Sequence, residues 1–259
     1  MAQSSGDVFN PFMGRIWLGL MLALFLHPAA AQEALEKVDV ELILMADGSG
    51  SVDTYEFRLQ RGGYARALRD PNVIEAIKNG FFGQIAISYV EWSGPSLQVP
   101  IVPWMVVKDE ADIDIVASLL ETIPRQIYGG GTTPGNAILY GARSLLSNQF
   151  EGKRMVIDVS GDGPDMGGFP SSRARDQAVA QGITINGLPI INDFPRLDVF
   201  YKENIVGGRD SFSITANGFD DFFDAVRMKL IREIAGLPGE REIQAAQSRE
   251  DPGFRRGDD

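Results

Sequence analysis

Residues 38–51 read VDVELILMADGSGS, an aliphatic run that ends in a turn containing two glycines. A run of this length, rich in Val, Leu and Ile, predicts a buried strand. Gly48 and Gly50 allow the chain to turn tightly where the strand ends. Asp53 with Glu56 three residues later is a capping-box pattern, which predicts the start of a helix. This stretch therefore predicts strand, loop and helix in direct succession.

The same alternation of strand and helix patterns extends along the chain. Further strands are predicted at residues 84–92, 97–107, 155–159, 183–188 and 211–216, and helices at 109–123, 171–181 and 219–234, with one more that begins at Thr133 and Pro134. Pro100 and Pro103 place one strand at an edge, because proline cannot donate a sheet hydrogen bond. We predict an α/β fold with a doubly wound, mainly parallel six-stranded sheet, one antiparallel edge strand and helices on both faces.

One globular domain accounts for most of the 259 residues. The 44% hydrophobic and 23% charged content is ordinary for a chain that forms a sizeable core. The segment 237–259 is polar, contains proline and glycine and has no hydrophobic periodicity, which favours a disordered tail. We therefore place a single domain at residues 32–236.

The first 31 residues have the pattern of a cleaved secretory signal peptide. Arg15 precedes an apolar run at residues 16–26, and three alanines, Ala29 to Ala31, precede Gln32. An uncleaved membrane anchor is disfavoured because the run is shorter than the roughly 20 residues that span a bilayer. The polar stretch before Met13 is unusual in a signal, so translation could also start there. We expect a periplasmic or secreted mature protein with no membrane span.

Charge and composition exclude several classes of function. The net charge of -11 argues against nucleic-acid and anionic-membrane surfaces, because no basic excess exists to neutralise phosphates. The chain has no cysteine, and its one histidine, His27, lies in the predicted signal. The usual serine triad is therefore not available to the mature chain. Gly129 to Gly131 lack the Gly-Lys-Ser/Thr ending of a phosphate-binding loop, which disfavours nucleotide binding.

Five side chains with oxygen donors follow strands or glycine-rich loops. Asp47, Ser49 and Ser51 leave the first strand, Thr132 ends the triple-glycine loop, and Asp162 follows a buried strand. Ligands of doubly wound sheets bind at the carboxyl ends of the strands, where these loops can converge. A serine-rich turn would explain the first three residues alone. Together, two carboxylates and three hydroxyls predict a divalent hard cation, Mg²⁺ before Mn²⁺ or Ca²⁺, that offsets carboxylate repulsion.

At this point the residues resemble a known family. Asp47-Gly-Ser-Gly-Ser51, the loop that ends in Thr132, and Asp162-Gly163 are similar, in that order, to the metal-ion-dependent adhesion site (MIDAS) of von Willebrand factor A (vWA) domains. The resemblance covers residues 38–234. It implies a Rossmann-like vWA fold, direct or water-mediated metal binding by the five residues, and a partner whose Asp or Glu carboxylate completes the coordination.

Two segments resemble a narrower family. Residues 89–94, YVEWSG, and 158–163, DVSGDG, are similar to exported bacterial proteins of this fold catalogued as a domain of unknown function. Many vWA relatives have Thr-Asp-Gly where this chain has Gly161-Asp162-Gly163. That departure makes Asp158 an alternative to Asp162, but a residue inside an apolar strand is badly placed to reach the crevice. We therefore assign the metal to Asp162.

Other acidic residues are interpreted as structural. Glu91 ends a strand near the same edge, where a solvated acid is common, and Asp165 is typical of a turn. Arg125 and Arg173 are the basic residues nearest the motif loops in sequence.

Three functions remain open. The first is an exported, non-enzymatic binding module in which the cation bridges to a carboxylate on a partner protein or peptide. The second is a Mg²⁺-dependent hydrolase of phosphate esters, and the third is a scaffold whose metal only stabilises the fold.

Overall fold

A computed structural model describes residues 34–236 of the chain. The strands are β1 (Glu36–Val38), β2 (Glu41–Asp47), β3 (Ile85–Trp92), β4 (Gln98–Val107), β5 (Phe150–Gly152), β6 (Met155–Gly161) and β7 (Ile183–Pro189). The helices are α1 (Thr54–Leu68), α2 (Pro71–Lys78), α3 (Glu110–Thr122), α4 (Pro134–Leu146), α5 (Ser171–Val179), α6 (Leu197–Phe200) and α7 (Phe222–Ala235), and a π turn at Tyr201–Ile205 follows α6. The predicted signal at residues 1–31 and the predicted tail at 237–259 lie outside the described residues.

The main sheet has five strands in the order β4-β3-β2-β6-β7. Strand β2 pairs in parallel with β3 and with β6, and β6 pairs in parallel with β7. Strand β4 is the antiparallel edge strand, as Pro100 and Pro103 predicted. Because β2 and β6 are neighbours, the loops that leave their carboxyl ends lie side by side.

Each face of the sheet is covered by helices, which confirms the predicted doubly wound architecture. Every residue of β2 is buried, and its side chains alternate between two cores. Leu42 and Leu44 pack with Tyr64 of α1 and Phe222 of α7 on one face. Ile43 and Met45 pack on the other face, in the core that α4 and α5 cover. A central strand buried on both faces accounts for the continuous apolar run in the sequence.

The prediction of a sixth strand at residues 211–216 is wrong. This segment runs beside β7 but forms only isolated bridges, Gly187 with Ser213 and Ile190 with Ala216. Gly187 donates to the Phe212 carbonyl and accepts from Ile214. The next residue of β7 whose backbone faces this segment is Pro189. Its carbonyl accepts the Ala216 N–H, but it has no N–H to donate in return, so the ladder does not continue. A regular strand therefore does not form along this edge.

Several short elements were not predicted. Helix α2 is one of them, and it begins with Pro71 in its first turn and Asp70 as the N-cap. The small parallel sheet of β1 and β5 and the helical segment around the π turn were also missed. Within residues 34–236, no helix is both long and apolar enough to cross a bilayer.

Candidate metal site at the carboxyl edge of the sheet

The fold brings the five predicted oxygen-bearing side chains together. Ser49 Oγ lies 3.0 Å from Ser51 Oγ, and Thr132 Oγ1 donates to Ser49 Oγ at 3.4 Å. Ser51 Oγ donates to Asp162 Oδ1 at 2.8 Å. Ser49, Thr132 and both aspartates are buried, while Ser51 is exposed and marks the open side of the cluster. Three loops, which follow β2, precede α4 and follow β6, therefore meet at one point.

Asp47 lies at the base of this cluster and is fully buried. One carboxylate oxygen, Oδ1, accepts the Ser49 N–H at 2.7 Å, while Oδ2 has no hydrogen-bond partner within the described part of the chain. Burial, followed by the nearby Asp162 carboxylate, raises the pKa of Asp47 to about 7. Burying an anion without a partner costs free energy, and binding of a cation or a proton to this oxygen would remove that cost.

Asp162 is also buried, and burial is the main reason that its pKa is raised. Asp158, the alternative ligand, points into the core instead. Its Oδ1 lies 2.7 Å from Nζ of Lys229 in α7, and both side chains are fully buried. The geometry therefore gathers Asp162 and not Asp158 with the other four predicted residues.

The glycine-rich loop before Thr132 is shaped by Ser93, which the sequence did not indicate as important. Ser93 Oγ lies 3.0 Å from the carbonyl oxygens of both Gly129 and Gly131. Gly130 has φ = +109°, and a Cβ there would lie 2.4 Å from Ser93 Oγ, so only glycine fits. Thr133 begins α4 but does not cap it with its side chain, because its hydroxyl donates to the Ser93 carbonyl.

Arg125 fastens the two ligand loops to each other. Its guanidinium donates to the carbonyl oxygens of Val52 at 2.9 Å and Gly48 at 3.2 Å, on the loop that carries Ser49 and Ser51. The same side chain donates to the carbonyl of Ile127, just before the glycine loop. The loops also bond directly, because the Gly50 N–H donates to the Gly130 carbonyl at 3.2 Å. Arg125 therefore acts on loop geometry and is turned toward backbone carbonyls.

The acids interpreted as structural have structural partners. Glu91 Oε1 forms a buried ion pair with Arg61 at 2.6 Å, and its Oε2 accepts the Gln126 N–H at 3.2 Å. Asp165 accepts hydrogen bonds from the N–H and the hydroxyl of Ser171 at the start of α5. The structural interpretation of both acids agrees with these contacts, but the expectation that Glu91 is solvated is wrong, because its side chain is fully buried.

The residues present fit a hard divalent cation. They offer two carboxylates and three hydroxyls, which are the all-oxygen donors that Mg²⁺, Mn²⁺ and Ca²⁺ prefer. Asp47 Oδ2 supplies a buried acceptor that lacks a partner. Within residues 34–236, no group of three or more His, Cys, Asp or Glu side chains could hold a metal, so the hydroxyls are essential to any site here.

The fold is similar to that of vWA domains in solved structures. The mussel byssus protein proximal thread matrix protein 1, solved with a zinc-occupied MIDAS motif, matches with a TM-score of 0.57 at 17% identity over 78% of this chain and 49% of that chain. A vWA protein from Catenulispora acidiphila matches with a TM-score of 0.55 at 14% identity, over 76% of this chain and 43% of that chain. The pilus adhesin SpaC of Lactobacillus rhamnosus GG matches with a TM-score of 0.52 at 14% identity, over 78% of this chain and 32% of that chain. The chain thus spans half or less of the length of these proteins, and at such identities the likeness is one of fold.

The chain belongs to the family described as protein of unknown function DUF1194, whose model matches residues 37–238. The expected resemblance, to vWA domains and to a domain of unknown function, is confirmed. Among curated proteins, no sequence matches the chain.

Proposed function

We propose that this protein is an exported binding module in which a Mg²⁺-like cation links the domain to a carboxylate on a partner protein or peptide. The observation that carries the proposal is the unpartnered, buried Oδ2 of Asp47 beside Asp162 and three hydroxyls. The zinc-occupied MIDAS motif of the mussel protein and the adhesin among the similar structures support a role of this kind.

Asp47, Ser49, Ser51, Thr132 and Asp162 would hold the cation, directly or through water. The cation would supply a localised positive charge with an open position for an external oxygen ligand. Only two of these five residues are anionic, so a dication would keep attraction for a further carboxylate. In a chain with a net charge of -11, that attraction would offset the repulsion of an acidic partner.

A phosphate-ester hydrolase is the less favoured alternative. Arg125, which contacts the ligand loops, is engaged with backbone carbonyls and is therefore not free to clamp a phosphate. Among residues 34–236 there is no histidine to act as a general base. A purely structural metal is the third reading, and partner binding that is unchanged by EDTA would support it.

The test is affinity capture from a native extract with the mature protein as bait, in Mg²⁺ and in EDTA, beside the Asp47→Ala variant. A partner retained only by the wild-type bait in Mg²⁺ is the expected result. Mg²⁺-dependent turnover of p-nitrophenyl phosphate, abolished by Asp47→Ala, would instead establish the hydrolase.

A further inference from the structure

An apolar pocket of about 450 Å³ lies beside the candidate metal site. The residues that line it are Pro164, Phe194, Pro195, Arg196, Leu197 and Phe200. Pro164 is two positions after Asp162, so its Cα lies within roughly 7 Å of the Asp162 Cα by the reach of an extended chain. A peptide two or three residues long could therefore span from the cation to the pocket.

The pocket and the metal site are built from the same segments. The loop that follows β6 carries Asp162, Pro164 and Met166, and the Met166 N–H donates to the Thr132 carbonyl at 2.8 Å. On the opposite wall, α6 carries Leu197 and runs directly into Tyr201. Because these connections are short, a ligand in the pocket would contact the same loops as the cation.

Tyr201, which directly follows the pocket wall, lies close to Asp47. A Cβ on Gly161 would lie 2.8 Å from Asp47 Oδ2 and 2.9 Å from Tyr201 Oη, which places both oxygens beside this glycine. Tyr201 is fully buried. The pocket wall therefore reaches to the base of the metal site.

Several exposed apolar side chains lie on segments next to the candidate site. Phe194 is 38% exposed, Met166 is 65% exposed and Tyr128, just before the glycine loop, is 76% exposed. Tyr55, in the first turn of α1, is 57% exposed. Apolar groups left exposed around a candidate ligand site are typical of a surface that a partner covers.

The pocket rim carries charges of both signs, because Asp193 and Asp198 lie on either side of Arg196 in the sequence. Arg196 is exposed on this rim. It adds a positive charge on the same side as the cation, in a chain that is otherwise acidic.

We infer that the partner segment presents an acidic residue to the cation and, within about three positions of it, a large apolar side chain that fills the pocket beside Phe194. This inference rests on the proposed function and specifies the chemistry of its ligand. Filling an apolar pocket next to a charge contact would give the affinity and the selectivity that one carboxylate cannot give.

The experiment is selection of a phage-displayed random heptapeptide library on the immobilised mature protein in Mg²⁺, with elution by EDTA. Wild-type protein should enrich peptides that carry Asp or Glu with Phe, Leu, Trp or Met within about three positions. The Phe194→Ser variant should enrich the acid without the apolar neighbour. Ile115→Ser, which changes an exposed apolar residue of α3, should select as wild type does.

An enriched synthetic peptide then provides a double-mutant cycle. Replacing its apolar residue by glycine should weaken binding about tenfold to wild-type protein and hardly at all to Phe194→Ser, whose Mg²⁺ titration should match that of wild type.

Three outcomes separate the possible failures. Absence of EDTA-eluted peptides, or peptides without an acid, would overturn the proposed function. Acidic peptides without an apolar neighbour would overturn this inference alone. Concentration-dependent dimers in sedimentation velocity, abolished by Phe194→Ser, would assign the pocket to a second copy and also overturn it.

Discussion

Lys229 of α7 forms a buried ion pair with Asp158 of β6, with 2.7 Å between Nζ and Oδ1, and a second pair with Glu233 one turn further along α7. All three side chains are buried, so one cation serves two carboxylates. Lys229 is the member whose loss would leave two acids together in a low-dielectric core. Asp158 therefore belongs to a buried structural network between β6 and α7.

Loss of the lysine should cost more stability than loss of the aspartate. Lys229→Met should lower the free energy of unfolding by about 3 to 5 kcal/mol, because it leaves uncompensated buried carboxyls. Asp158→Asn should cost only about 1 kcal/mol, since Lys229 and Glu233 remain as a neutral pair. Urea denaturation of the two variants measures the difference. Equal losses would mean that the three groups do not act as one network.

The same network gives stability a pH dependence. Burial raises the pKa of Glu233 from 4.5 to about 7, against the opposing effect of Lys229. The folded state therefore holds a proton that the unfolded state releases between these values. This contribution to stability is complete below pH 4.5 and is lost as the pH rises through about 7.

Glu233→Gln should remove that contribution. Between pH 4.5 and 7, the free energy of unfolding of the variant should therefore decrease less than that of wild type, by a difference of about 2 kcal/mol. Acids with raised pKa values outside the network, such as Glu41, remain in both proteins and cancel in the comparison, whereas the neighbouring Asp158 contributes to the measured difference. Urea unfolding at several pH values provides the measurement. Parallel pH profiles would show that Glu233 does not titrate in this window.

The sequence predicts local features of this fold better than long-range ones. The strand within residues 38–51, the helix cap at Asp53 and the three oxygen-bearing loops depend on nearby residues, and the structure brings all five predicted side chains together. Arg125 was named only as a nearby cation, because its role depends on carbonyls more than 70 positions away, such as that of Val52. The sixth strand failed for a similar reason, since the effect of Pro189 depends on which neighbour its missing N–H would face.

The metal assignment predicts that Asp47→Ala abolishes the binding of one Mg²⁺ or Mn²⁺ per chain, because the variant lacks the deepest carboxylate. Asp162→Asn should weaken binding, whereas Asp158→Asn should leave it near the wild-type value. Isothermal titration calorimetry on the mature protein measures all three. Strong loss in Asp158→Asn together with normal binding by Asp162→Asn would move the ligand to Asp158.

Gly161 should be intolerant of a side chain even though its backbone is unstrained. An alanine Cβ would lie 2.8 Å from Asp47 Oδ2, closer than van der Waals contact allows. Gly161→Ala should therefore displace Asp47, weaken Mg²⁺ binding about tenfold or more and cost about 1 to 3 kcal/mol of stability. Calorimetry and urea denaturation measure the two effects.

Gly62→Ala is the matched control, because nothing lies within 4 Å of a Cβ at that helical position. It should raise stability by about 0.5 to 1 kcal/mol and leave Mg²⁺ binding unchanged. Normal metal binding by Gly161→Ala would show that the space beside Asp47 is not needed.

Arg125 should control metal affinity without contacting the metal. Its planar guanidinium reaches the carbonyls of Gly48, Val52 and Ile127 at once, and a lysine ammonium cannot reproduce that geometry. Arg125→Lys should therefore weaken Mg²⁺ binding about 10-fold to 100-fold, as loss of an outer positioning contact typically does, while the far-ultraviolet circular dichroism spectrum stays the same. Arg173→Lys, a change at an exposed position of α5, should leave the affinity unaltered. If Arg125→Lys and Arg173→Lys bind Mg²⁺ equally well, the loop contacts made by Arg125 do not shape the site, and the positive charge that lysine retains at position 125 is sufficient.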